Sequence, residues 1–181
     1  MSHGQAVTPV ERVKRALAAC GLDPSLIREL PADTSTADAA ARAVAAPLGS
    51  IVKTLVFLAD GAPLLVLVAG DQRADVHRLR AALGLSKKRL RIAQPVEVLS
   101  STGFEVGGVP PIGHDQESRS ASGAGGVVVR TLIDRTLGRF DVVWAAAGSP
   151  NAVFPINYDR LVAITNGEVM DLAEESHNSG F

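Results

Sequence analysis

Lys53 is the residue of this chain that most needs a chemical reason to be where it is. It stands alone in Ile51-Val52-Lys53-Thr54-Leu55-Val56-Phe57-Leu58, a run that is otherwise almost wholly apolar. Burying a lone ammonium there is costly, so it either snorkels out at the strand end or faces a functional cleft. A second feature is Phe104-Glu105-Val106-Gly107-Gly108-Val109-Pro110-Pro111-Ile112-Gly113-His114. Two adjacent glycines free the backbone, two adjacent prolines fix it and remove donors, and a third glycine bends it before a histidine. A rigid loop of this kind can aim its remaining N–H groups at a ligand, as oxyanion-binding loops do. On composition alone it is also an ordinary tight turn. Gly148-Ser149 closes another apolar run, and Ser86-Lys87-Lys88-Arg89-Leu90-Arg91 is the densest positive stretch. The latter reads as an exposed loop or as a phosphate contact.

Other chemistries find little support. Four histidines and one cysteine, all scattered, do not make a zinc site. There is no phosphate-binding Walker loop and no dinucleotide fingerprint, so neither metal nor cofactor is expected. Ser149 lacks the glycine two residues later that a nucleophile elbow requires, and a triad of Ser149, His114 and an acid has only composition behind it. Cys20 falls on the apolar face of a helical pattern and reads as a small core residue.

The elements that must hold these groups follow from pattern. Thr8-Pro9-Val10-Glu11 is a helix start with cap, first-turn proline and capping acid. Val10, Val13, Leu17 and Cys20 recur at helical spacing up to Gly21. Ser25 to Leu30 is a strand or a brief helix. Thr34 to Asp38 offers caps for an alanine-rich helix through about Ala46, stopped by Pro47 and Gly49. Residues 51–58 and 64–68, joined by Asp60-Gly61, predict a hairpin of central strands. Val76, Leu79 and Leu83 predict a helix started by Asp71 or Asp75 and ended by Gly84. A short helix spans Pro95 to Ser101, and Glu117 to Gly126 is a Ser/Gly-rich surface loop. Strands over 127–134 and 141–147, a helix capped by Asn157 and a short run at 168–172 complete the chain, and a polar tail from Glu174 is expected to fray. The fold expectation is α/β: a single mixed, strongly curved, barrel-like β-sheet surrounded by helices.

With 181 residues, 46% of them hydrophobic, and a formal net charge of −1, the chain suits one domain over residues 1–181 with an aliphatic core. Near-neutrality excludes bulk electrostatic adhesion but not a local basic patch. A single cysteine suggests a reducing compartment. The start lacks signal-peptide order and no apolar run approaches a membrane span. A cytoplasmic protein without membrane partners is expected.

Three blocks together carry a resemblance. Val52-Lys53-Thr54-Leu55-Val56, then Val106 to His114, then Ala146-Ala147-Gly148-Ser149 resemble, in order, the signature blocks of the YbaK/ProX/EbsC family of aminoacyl-tRNA editing domains. That family is related to the inserted domain of bacterial prolyl-tRNA synthetase. The resemblance runs from about Ala32 to Leu172. It implies a free-standing deacylase that hydrolyses the ester of a mischarged tRNA carrying a small wrong amino acid, with a tRNA(Pro)-type substrate. It also implies aminoacyl-tRNA, with or without a synthetase, as partner, and no DNA.

By the same resemblance Lys53 is the catalytic lysine, holding the terminal adenosine phosphate or the substrate carbonyl. Backbone groups of Gly107 and Gly108 orient water and stabilise the oxyanion, and the substrate's own 2′-hydroxyl assists. Pro110, Pro111, Gly113, Gly148 and Ser149 line the substrate site, and His114 bonds substrate or closes the loop. Lys87, Lys88, Arg89 and Arg91 are candidate tRNA contacts. The loop departs from the cysteine-editing branch, which commonly has Ser before the second proline and Gln at the end; this counts against a cysteinyl substrate. Two rival readings are a non-catalytic tRNA- or synthetase-binding module and a small-molecule esterase.

Overall fold

The computed structural model describes residues 7–32, 34–114 and 129–174. Its strands form two sheets. The larger has the order β4-β2-β3-β5-β8 and the smaller the order β1-β7-β6. In chain order the elements are α1 (Pro9–Ala19), β1 (Arg28–Glu29), α2 (Ala37–Val44), β2 (Val52–Ala59), β3 (Ala62–Ala69), α3 (Val76–Leu83), β4 (Leu90–Ile92), α4 (Pro95–Thr102), β5 (Arg130–Asp134), β6 (Val142–Ala146), β7 (Ala152–Asn157), α5 (Tyr158–Thr165) and β8 (Glu168–Met170). The expected mixed α/β architecture is present, but as two sheets rather than one. The Ser/Gly-rich stretch 117–126, positions 127–128 and the tail beyond Glu174 lie outside the described residues.

Local chemistry accounts for most boundaries. Thr8 accepts from the Glu11 N–H, Thr36 caps α2, Asp75 accepts from the His77 and Arg78 N–H groups, and Asn157 caps α5. These are side-chain acceptors for the orphan donors of a first turn. Helix α2 ends two residues earlier than its composition predicts, with Ala45 in the left-handed region (φ 55°), because Ala46 precedes Pro47 and is disfavoured as helix. Asp60 and Gly61 both have positive φ, which fits the tight β2–β3 hairpin.

The apolar runs of β2 and β3 are continuous because both faces of the larger sheet are covered. Leu65, Leu67 and Ala69 face the main core, shared with α1, α5 and the smaller sheet, whereas Leu64, Val66 and Val68 face Leu79 of α3. Burying this alternating set stabilises the fold, at about 25 cal/mol per Å² of apolar surface. Helix α2 packs its alanines with Ile51, Trp144 and Val153 in a third cluster.

Two strands were not foreseen. In β7, Pro155 pairs with Trp144 of β6, while β1 reaches only Ala152 and Val153. Pro155 therefore sits beyond the end of its other neighbour, where its missing N–H breaks no ladder. The three residues of β4 bury only Leu90 between exposed arginines, and a strand that short leaves no legible alternation.

Candidate active site

The two sheets meet at the start of β2 and then separate. Ile51 forms a parallel bridge with Trp144 of β6, while farther along the same edge Ala93 donates to the Val56 carbonyl at 2.9 Å. Between these points no strand pairs with that edge among the described residues, and residues 52–55 line a pocket of about 240 Å³ instead. The far walls are Thr34–Ala37 and Ala40 on one side, Val106, Gly107 and Val109 on another, and Trp144, Ala146, Pro150 and Val153 at the base.

Among the described residues, Lys53 is the only charged residue lining this pocket. By strand alternation it shares a face with Leu55 and Phe57. Its Nζ donates to the backbone carbonyl of Gln72 in the β3–α3 connection. One carbonyl takes one of three ammonium donors, so two remain for a ligand. Burial, then the neighbouring Arg73, push its pKa below the ordinary lysine value, partly opposed by Asp71.

The glycine-proline loop divides into a wall and a support. Gly107, at φ 88°, lines the pocket, and among the described residues nothing accepts its N–H. Gly108 is buried, and its N–H donates to the Glu105 carbonyl at 3.0 Å. That amide is therefore engaged inside the loop rather than free for an oxyanion. A Cβ on Gly108 would sit 2.9 Å from the backbone of Ser149, so only glycine permits this approach.

The remaining residues expected to line the site stand one layer behind it. Pro110 and Pro111 are buried, and the His114 Nε2 bonds the Pro110 carbonyl at 2.7 Å while its ring meets Phe104 edge-on. Gly113 packs on Ala16 of α1, and Gly148 on the carbonyl of Pro9 at the start of α1. The Ser149 hydroxyl donates to Asn151 Oδ1, and Asn151 holds Leu30 through its Nδ2 (3.2 Å) and its carbonyl. That clamp fixes Leu30, shortly before Thr34, Ser35 and Thr36 of the pocket wall.

The basic cluster lies elsewhere. Arg89 is paired with Asp60, and Arg91 with Glu97 at 2.6 Å. Lys87 and Lys88 are exposed. None of the four lines the pocket. Residues that sequence reasoning did not assign to the site include Thr34, Ser35, Trp144 and Pro150. Trp144 carried the one available signal, as the only tryptophan of the chain in a row of alanines.

A two-sheet α/β domain with one half-buried lysine in an otherwise uncharged pocket is the class of protein defined so far. The family model for the aminoacyl-tRNA editing domain matches residues 31–164, and the chain belongs to that family. Uncharacterized protein YwhH of Bacillus subtilis (strain 168) is 32% identical over 138 residues, covering 75% of this chain and 78% of that one. A proline–tRNA ligase of Solidesulfovibrio magneticus is 39% identical over 67 residues, which are 37% of this chain and 12% of that enzyme. A crystal structure described as a candidate trans-editing enzyme for prolyl tRNA synthetase superposes with a TM-score of 0.80 at 39% identity, covering 92% of this chain and 97% of that one.

Proposed function

We propose that this protein is a trans-editing deacylase that hydrolyses the ester linking a small non-cognate amino acid to tRNA, with a tRNA(Pro)-type substrate. The observation that carries this reading is that Lys53 and Gly107, whose amide finds no acceptor among the described residues, line one small pocket. Membership of the editing family and the likeness to a candidate prolyl trans-editing enzyme support the substrate class.

The chemistry asks little of side-chain nucleophiles, because an aminoacyl ester is already activated. Water adds to the ester carbonyl carbon, and the carbonyl oxygen takes up the negative charge. Lys53 and the Gly107 N–H donate to that oxygen, each such donor stabilising the transition state by about 3 kcal/mol. Collapse of the tetrahedral intermediate breaks the bond to the ribose oxygen. The departing alkoxide takes a proton from Lys53, whose lowered pKa suits a donor. The lysine recovers that proton from the water that has added, so the products are the free amino acid and a tRNA with its terminal hydroxyl restored.

The wall formed by Ala37, Ala40 and Ala146 with Trp144 at the base suits a small side chain. A methylene in such a pocket discriminates by only about 1–3 kcal/mol, which is why a second, hydrolytic site improves accuracy. The direct test is hydrolysis of a panel of tRNAs charged with alanine, serine, cysteine and proline. Release of a small non-cognate amino acid, with Pro-tRNA(Pro) spared, is the expected result. Equal hydrolysis of a free amino-acid ester would point to a general esterase.

A further inference from the structure

Six arginines of the described residues are held in ion pairs. Arg42 pairs with Asp38, Arg78 with Asp171, Arg89 with Asp60, Arg91 with Glu97, Arg130 with Glu168 and Arg139 with Asp71. Two exposed arginines that border the pocket have no ion-pair partner among the described residues. Arg28 lies on β1 with its guanidinium carbon 4.9 Å above the ring of Trp144, a pocket wall. Stacking fixes the plane of the guanidinium and leaves its edge donors free. Arg73 directly follows Gln72, whose carbonyl holds the Lys53 ammonium, and its own carbonyl is anchored by the Glu174 N–H at 2.8 Å.

The described residues of the pocket lining include no carboxylate. Asp71, the acid whose charge acts on Lys53, is turned to Arg139 at 2.7 Å, and Glu29 projects to the opposite face of β1 from Arg28 by strand alternation. Among the described residues, Arg28 at Trp144 and Arg73, whose charge acts on Lys53, thus add positive charge beside the pocket of a protein whose net charge is −1. No described residue takes these two cations as ion pairs, and guanidinium groups match phosphate oxygens with paired donors.

We infer that Arg28 and Arg73 are phosphate contacts that seat the single-stranded 3′ end of an RNA over the pocket. This assignment deepens the deacylase reading and rests on it for the identity of the RNA. It moves the primary electrostatic contact from the 87–91 cluster, where two of four cations are already neutralised, to the pocket mouth. Each arginine neutralises one phosphate, and each therefore contributes about 0.7 to the slope of log affinity against log salt concentration.

The test is equilibrium binding of a fluorescein-labelled RNA hairpin ending in an unpaired CCA, measured from low to physiological salt. Arg28→Gln and Arg73→Gln are each expected to weaken binding about tenfold at low salt, as loss of one charge-assisted contact implies. Each is also expected to reduce the salt slope by about 0.7. Arg28→Lys keeps the charge but not the stacking, and is expected to retain the wild-type slope. Unchanged slopes in both glutamine variants would overturn the inference, as would a reduced slope in Arg28→Lys, which would mark a structural role for the stack on Trp144. The binding measurement needs no catalysis. A wild type that binds with the expected slopes but hydrolyses no aminoacyl-tRNA sinks the deacylase reading and leaves the arginine assignment standing.

Discussion

Gly148 donates its N–H to the carbonyl of Gly108 across 3.1 Å, and this bond locks the glycine-proline loop to the turn after β6. The contact is so close that a Cβ on Gly108 would lie 2.9 Å from Ser149. The pocket walls Gly107 and Pro150 flank this lock on either side. Gly108→Ala must therefore push the two walls apart. An overpacked site of this kind costs about 1–3 kcal/mol, so thermal denaturation is expected to show a clear loss of stability. Deacylation is expected to fall at least tenfold, because a small misplacement of positioning groups is amplified in rate. A Gly108→Ala protein with wild-type melting and rate would show that the lock does not position the walls.

The pKa of Lys53 is lowered by burial, which gives its pH dependence a definite sign. A lysine with a depressed folded-state pKa binds fewer protons in the native than in the unfolded state, between that pKa and the ordinary 10.5. Stability is therefore expected to rise with pH through that window, relative to Lys53→Met. Activity is expected to run the other way, since the ammonium is the working form. After subtraction of spontaneous ester hydrolysis, kcat/KM should fall along an alkaline limb centred below 10.5. A limb at or above that value would contradict a buried catalytic ammonium.

Thr54, the neighbour of Lys53, holds a hydroxyl shielded from solvent with no hydrogen-bond partner among the described residues. An unsatisfied buried polar group costs about 1–3 kcal/mol, and valine has nearly the same shape. Thr54→Val is expected to raise the melting temperature by about 2–4 °C for each kcal/mol recovered. A lowered melting temperature would mean that the hydroxyl finds a partner in solution.

At the other end of the site's scaffold, Glu97 completes a capping box on α4 and pairs with Arg91. The Arg91 hydrogen bonds, then the Gln94 N–H, hold its carboxyl down at about 2. Its stabilising contribution is therefore present above the ordinary 4.5 and lost as pH falls towards about 2. Glu97→Gln should melt earlier than wild type at neutral pH, and the difference should close through that acid window. A gap that persists at pH 2 would place the effect of the substitution outside this ionisation.

The sequence reveals those features that are local. Thr8, Asp75 and Asn157 announce their helices because a cap and the N–H that donates to it lie within three residues. Lys53 stands out because charge in an apolar strand is rare. The division into two sheets was not legible, since it depends on where β2 leaves β6 for β4, a choice made between residues far apart in sequence. For the same reason these glycines of the loop and of the turn after β6 read as ligand-facing, although Gly108, Gly113 and Gly148 spend their missing side chains on close approach to Ser149, Ala16 and Pro9. Thr34 to Thr36 read only as helix caps. Thr36 is one, but the same segment also roofs the pocket.

The central claim is that the Lys53 ammonium carries hydrolysis within this pocket, without a side-chain nucleophile. It is tested most directly by single-turnover deacylation of mischarged tRNA(Pro) by wild type and Lys53→Ala, with folding of the variant checked by its melting curve. The predicted result is rapid release of a small amino acid by wild type and a loss of about 10²–10³-fold in rate in the variant, as for removal of one preorganised oxyanion donor. A folded Lys53→Ala protein that deacylates at the wild-type rate would contradict the account.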